Sequence, residues 1–389
     1  MQSAPAFLTT SLSQSFSLFK GYPPDPQLQM AVVIPARNEA NYLVYALDAL
    51  RTQRQLDDRP MPVNRYEVLV LLNNCTDHSL TIAERYQQQY PTFPLRIANI
   101  QLPSEKANVG TARRLLMDEA CKRLLSVNNP PGIIASTDAD TQVDTYWIAQ
   151  IRAEISKGCE AVGGRILTQP DTNPVRINHL RDVTYRMLIS QLEAYLDPSP
   201  SDPWPRHFQH FGASIALTCS AYQRVGGLPK VACLEDEALY KALLRTDIRV
   251  RKSPQVRVTT STRMQGRVEV GFSEQLRYWE AMNQARKCQL AESAGAIIRR
   301  IQNRHDLRKL WQRRAIELPT TKLDGVAANL LVDTDWLQQQ VVQSCYFGQL
   351  WERVEEQMAK GKWPSLWPLV PITTAIHDLR LFLRTSGQR

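Results

Sequence analysis

Between residues 30 and 140, short apolar runs rich in β-branched residues alternate with helix-patterned segments, and each run ends in a polar turn. Met30 to Pro35 (MAVVIP), Tyr66 to Leu72 (YEVLVLL), Leu95 to Gln101 and Gly132 to Ser136 read as buried strands. Asn41 to Gln53 spaces Leu43, Ala46, Leu47 and Leu50 on one helical face, with Asn38 or Asn41 as its cap. A second helix runs through about Gln89, and Thr111 to Ser126 is amphipathic. Such alternation leaves few choices of fold. It predicts an α/β protein with a mainly parallel sheet and helices on both faces.

Further along, Thr145 to Ser156 reads as a helix, Ala161 to Thr168 as a strand and Val175 to Leu196 as a helix. A Pro-rich aromatic loop follows at Pro198 to His210, and from about Glu274 the pattern is helical. The expected organisation is an irregular leader over 1–27, a catalytic domain over 28–280 and a helical region over 281–389. The leader lacks a basic start before a compact apolar stretch, so no signal peptide is expected. Seven dispersed cysteines without CxxC spacing favour free thiols in a reducing, cytoplasmic setting over a zinc site or disulfide framework. The net charge of +9 favours anionic partners, but its spread and the lack of any RNA-module motif argue against nucleic acid.

The run Ile133-Ile134-Ala135-Ser136-Thr137-Asp138-Ala139-Asp140 carries the chemistry. An apolar strand stops at two carboxylates, and alternate residues of an extended chain share a face, so Asp138 and Asp140 are expected to point together. Two hard oxygen donors beyond a strand's carboxyl end suit magnesium or manganese, which completes its shell with water and a phosphorylated substrate.

Four motifs in order resemble family 2 glycosyltransferases of the GT-A fold. They are Val32-Val33-Ile34-Pro35-Ala36-Arg37-Asn38-Glu39, the turn Asn73-Asn74-Cys75-Thr76-Asp77, the Asp138/Asp140 pair, and Gly226-Gly227-Leu228-Pro229 followed by Leu234-Glu235-Asp236. Phe211-Gly212-Ala213-Ser214 fits the acceptor-side loop, and the resemblance covers about residues 30 to 270. It implies a nucleoside diphosphate sugar donor, with Pro35, Ala36, Arg37 and Glu39 near the base and ribose. Asn73 would contact the base, standing where many members carry Asp, so the base is not specified. Lys106 and Arg113, around a helix opening at Gly110, would face the base or diphosphate. Asp138 and Asp140 would hold Mg or Mn, and Asp236 would take the proton of the attacking hydroxyl in an inverting displacement. His207 and His210 flank the acceptor loop, and a loop histidine is more often structural. Gln265-Gly266-Arg267 lacks the Trp of the polymer-forming Gln-x-x-Arg-Trp pattern, so transfer of a single sugar is expected.

Other readings compete. A retaining enzyme on the same scaffold shares the acidic pair, and a sugar nucleotidyltransferase needs a Gly-rich basic first turn that Pro35 to Glu39 does not supply. A binding or scaffolding protein that kept the fold is the non-enzymatic alternative. The acceptor is expected to be a small or lipid-linked hydroxyl compound. For the tail, peripheral membrane contact through Trp363, Trp367, Leu369, Arg380 and Arg384 competes with packing against the core.

Overall fold

A computed structural model of the chain describes residues 17–127, 131–168, 175–231, 233–261, 272–315 and 319–386. The Gln265-Gly266-Arg267 segment and the first 16 residues lie outside them. The expected α/β architecture is present. Strands β1 (Met30–Ala36), β2 (Tyr66–Asn73), β3 (Leu95–Ile100), β4 (Ile133–Ser136), β5 (Thr141–Val143), β6 (Ala161–Thr168), β7 (Ile215–Thr218) and β8 (Val250–Thr260) form one sheet in the order β3-β2-β1-β4-β7-β6-β8-β5. β7 runs antiparallel to β4 and β6, and β5 antiparallel to β8; the other pairings are parallel. A mainly parallel, mixed sheet results.

Helices cover both faces. Alternate residues of β1 separate the two layers: Met30, Val32 and Ile34 pack with α1 (Leu43–Arg51), α2 (Ser79–Gln89) and α4 (Trp147–Ser156). Ala31 and Val33 pack with α3 (Val109–Ser126), α6 (Cys219–Arg224) and α7 (Glu235–Arg245). Burial on both faces is why β1 and β2 read as unbroken apolar runs. The helix α5 (Arg176–Leu196) lies between this body and the tail.

The tail is helical as expected: α8 (Phe272–Gln284), α9 (Ala294–Arg313), α10 (Thr320–Leu330), α11 (Thr334–Gln343), α12 (Phe347–Lys360), α13 (Trp363–Leu366) and α14 (Ile372–Ser386), with a two-stranded ribbon of β9 (Leu290–Ala291) and β10 (Val370–Pro371). Trp363 is buried in the α9–α13 core, and the Trp367 ring packs so closely on Gly295 that a Cβ there would lie 2.9 Å from it. These two tryptophans are therefore committed to packing, whereas Leu369 is exposed. Among the described residues no helix is long and apolar enough to cross a membrane.

An ion-pair network joins α5, α9, β8 and the Pro198–His210 loop. Asp197 is bonded by Arg304 and Arg308, Glu193 by Arg304 and Arg206, and Asp202 by Arg206 and Arg251, with Glu154 beside Arg251. Despite burial, the surrounding cations hold the Glu193 carboxyl down to about 2.

Candidate functional site

The site forms where the turns after β1, β2 and β4 meet at the carboxyl edge of the sheet. The first two turns interlock. Asn38 adopts a left-handed conformation (φ 55°), which Asn tolerates better than most residues. Its side-chain oxygen accepts the Thr76 N–H at 2.7 Å and the Asp77 N–H at 3.3 Å. Asp77 accepts the Ala40 N–H, and the Ser79 hydroxyl accepts the Glu39 N–H at 2.8 Å. Asn38 is thus spent on the neighbouring turn. Neither it nor Asn41 caps α1, whose N-cap is Tyr42 with no side-chain hydrogen bond.

Pro35, Ala36 and Glu39 are buried at this edge, while Arg37 is exposed and donates to the Ala107 carbonyl at 3.0 Å. Asn73 ends β2, is 3% exposed and makes no side-chain hydrogen bond with any described residue. Asn74 is a turn residue: it is left-handed (φ 52°) and exchanges two hydrogen bonds with Leu102. Lys106 is exposed on a single 3-10 turn before α3, and Asn108 caps that helix by accepting the Thr111 N–H. Gly110 has no room for a side chain, because a Cβ would lie 2.9 Å from the Val231 carbonyl.

The acidic pair departs from the extended geometry expected of it. β4 stops at Ser136, and the Thr141 N–H donates to the Asp138 carbonyl at 3.1 Å, so both carboxylates sit on a tight turn between β4 and β5. Asp138 accepts from Arg113 at 2.5 Å, and Asp140 accepts from the Ser261 hydroxyl at 2.8 Å. Arg113, 3% exposed, also bonds Glu235 in the first turn of α7. One guanidinium therefore ties the tip of β4 to the start of α7.

Gly212 lies against that guanidinium; a Cβ there would fall 2.0 Å from it. The Gly212 N–H donates to Asp236 at 2.8 Å, and the other oxygen of Asp236 accepts the Glu237 N–H at 2.8 Å. The sequence reading has Arg113 facing the base or diphosphate; its guanidinium is engaged by two carboxylates within the protein. Arg114 is likewise structural: it donates to the Leu228 carbonyl, bracing the Gly226-Gly227 turn, where both residues have positive φ.

Acidic groups gather around Arg113. Although 35% of the Asp138 side chain is exposed, desolvation pushes its carboxyl up to about 6; Arg113 opposes the shift, and Asp140, Glu235 and Asp236 add to it. Of these, Asp138 and Glu235 are paired directly with Arg113. Of the seven buried side-chain atoms without a partner among the described residues, three belong to Ser136, Thr137 and Arg113. No group of three or more His, Cys, Asp or Glu side chains among the described residues is arranged to hold a metal by itself. Two carboxylates with hard oxygen donors suit Mg or Mn only with water and phosphate completing the shell, as the sequence implied.

The loop over residues 207–214 is stapled to β6 and β8. Gly163 and Gly164 of β6 admit it: Cβ atoms there would lie 2.8 Å from the Gln209 carbonyl and 2.1 Å from the Ser214 hydroxyl. His207 is structural. Its Nε2 faces the Ser253 carbonyl at 3.1 Å and its Nδ1 accepts the Gln209 N–H at 3.1 Å, which requires the neutral ring. Burial pushes its pKa down to about 3 from an ordinary 6.5. Between these values the unfolded chain binds a proton that the folded chain does not. The contribution is complete above pH 6.5 and should fall by about 1.4 kcal/mol per pH unit on acidification through that window. Denaturant unfolding across this range should show a shallower acid loss for His207→Gln; parallel curves for variant and parent would refute the assignment.

His210 differs. Its Nε2 meets Glu237 at 2.6 Å, which holds the Glu237 carboxyl below its usual range, and its ring stacks on Tyr240 at 3.8 Å. The sequence reading took Glu237 as a surface residue and singled out neither Lys252 nor Ser261, because no local pattern distinguishes them from surface or strand residues.

Residues 31–215 match the family model described as glycosyl transferase family 2. Over that segment, a little under half of its length, the chain is similar to the family. No curated protein matches it in sequence. Among solved structures it is similar to S. aureus TarS 1-349 in complex with UDP, with 15% identity, 86% of this chain and 92% of that chain covered, and a TM-score of 0.44. It is also similar to the mannosyltransferase PcManGT from Pyrobaculum calidifontis in complex with GDP-Man and Mn2+ (15% identity, 89% and 90% covered, TM-score 0.40). A third is glucosyl-3-phosphoglycerate synthase from Mycobacterium tuberculosis in complex with Mn2+, UDP-Glc and phosphoglyceric acid (13% identity, 68% and 84% covered, TM-score 0.37).

Proposed function

We propose that this protein transfers a single sugar from a nucleoside diphosphate sugar to a hydroxyl acceptor by metal-assisted, inverting displacement. The observation that carries the reading is the junction at Arg113, which brings the Asp138 turn and the Glu235-Asp236 turn to one edge of the sheet. Pro35, Ala36, Arg37, Glu39 and Asn73 lie on the β1 and β2 side and would receive the nucleotide. Among the described residues the Asn73 amide has no hydrogen-bond partner, which leaves it for a base edge, and Lys106 is exposed near α3. The donor enzymes named above bind UDP, GDP-Man or UDP-Glc, which supports a nucleotide-sugar donor without specifying one.

Asp138 and Asp140 would hold Mg or Mn, which when bound neutralises charge on the departing diphosphate. Asp236 is held by two backbone N–H groups, which orient its carboxylate without neutralising it. It accepts the hydroxyl proton as the acceptor oxygen bonds to the anomeric carbon and the diphosphate leaves. Incubating the protein with nucleoside diphosphate hexoses, manganese and candidate alcohols, and reading the product anomer by NMR, tests the reading. The expected product has the anomeric configuration opposite to that of the donor. Retained configuration would assign the retaining chemistry instead, and absence of transfer with every donor would favour a binding protein.

A further inference from the structure

In the network joining α5, α9 and β8, four carboxylates (Glu154, Glu193, Asp197, Asp202) are matched by four arginines (Arg206, Arg251, Arg304, Arg308). Lys252 is a fifth cation in their midst. It is 8% exposed, and among the described residues its ammonium has neither a hydrogen-bond nor an ion-pair partner; only its backbone N–H is bonded, to Asp202. Its charge reaches Glu193, but both oxygens of that carboxylate are already taken by Arg206 and Arg304. What the ammonium does have is the face of Tyr240, 5.0 Å from the ring centre. A cation–π contact returns less than burying an ammonium costs. Lys252 is short of a counter-anion.

Its position is informative. Lys252 is paired with Gly163 across β8 and β6, and the backbone of His210 crosses Gly163, with its Cα 3.4 Å from where a Cβ would stand. Tyr240 carries both contacts, stacking on His210, and lies one helical turn beyond Asp236 on α7. Register runs level from Ser136 through Ile215 and Gly163 to Lys252, so Lys252 stands three strand spacings, roughly 14 Å, from the strand that ends at the acidic pair. That span accommodates a donor sugar and a small acceptor.

We infer that Lys252 is the anion-recognising residue of the acceptor subsite and that the acceptor carries a phosphate group. This rests on the proposed transfer reaction and deepens it. The ammonium is a compact point charge with three donors, suited to a tetrahedral phosphate, whereas the planar forks that favour carboxylates belong to arginines already paired. Tyr240 and His210 form the wall on which the acceptor lies. The phosphate belongs either to a soluble phosphomonoester or to a lipid headgroup, and both present the same oxyanion.

Calorimetry on the full chain with glycerol 3-phosphate and with glycerol, each with and without a nucleoside diphosphate and manganese, tests this. Glycerol 3-phosphate should bind and glycerol should not. Lys252→Met should weaken phosphate binding by about 10- to 100-fold, the loss expected for one charged hydrogen-bonding group, while Lys252→Arg keeps most of it. Phosphate affinity unchanged in Lys252→Met, or no phosphate binding by the parent, overturns the inference. Sedimentation with phosphatidic acid vesicles separates the sources: loss of vesicle binding in Lys252→Met assigns the lipid headgroup, and binding confined to glycerol 3-phosphate assigns the soluble ester. Manganese-dependent diphosphate binding should be equal in parent and Lys252→Met. Its absence from both would remove the transfer reading while a Lys252-dependent phosphate site stands on its own.

Discussion

Asp236→Asn should lower the transfer rate by about 10²- to 10⁴-fold, the range for loss of a positioned general base, while donor binding stays within about twofold of the parent. The amide keeps the volume of the carboxylate and one acceptor for the Gly212 or Glu237 N–H, so the first turn of α7 remains in place. What it loses is the ability to accept the acceptor's proton. Single-turnover kinetics separates the chemical step from binding. A variant losing less than about tenfold would transfer the base role elsewhere, with Glu237 the nearest alternative, although its carboxylate is already engaged by His210.

Arg113→Met should destabilise the protein by about 3–5 kcal/mol, the usual consequence of removing one partner from a buried ion pair. Arg113 and Glu235 are both at most 5% exposed as side chains, and among the described residues Glu235 has no other ion-pair partner to balance its charge. Asp138, its carboxyl already raised to about 6 with Arg113 present, would rise further without it. Denaturant unfolding of the variant measures the loss. The double variant Arg113→Met, Glu235→Leu should recover much of it, because two apolar groups replace a desolvated pair. A single variant as stable as the parent would show that the guanidinium does not hold β4 to α7.

Much of the side built on β1, β2 and β4 was readable from sequence because its determinants are local. Each of these strands is a largely apolar run, and each turn carries its polar residues within five positions of the strand end. The side built on β5, β7 and β8 was not. β8 carries Arg251, Lys252, Pro254 and Arg257, so it lacks the apolar run that marks a buried strand, and its pairing with β6 shifts register at Gly164 and Arg165. β7 and β5 are only four and three residues long. Arg113 looked like an anion ligand because it opens a helix. Its partner Glu235 lies 122 positions away, a separation that spacing rules do not reach. The acidic pair was recognised for its chemistry although its geometry is a turn rather than an extended strand.

The central claim of the proposed reaction is electrostatic: Asp138 and Asp140 would hold a divalent cation that neutralises charge on the departing diphosphate. Calorimetric titration of UDP and GDP, with manganese or with chelator, tests it most directly. At least one diphosphate should bind with manganese, lose that binding in chelator, and lose it equally in Asp140→Asn with manganese present. Diphosphate binding that is indifferent to both chelator and Asp140→Asn would contradict the account.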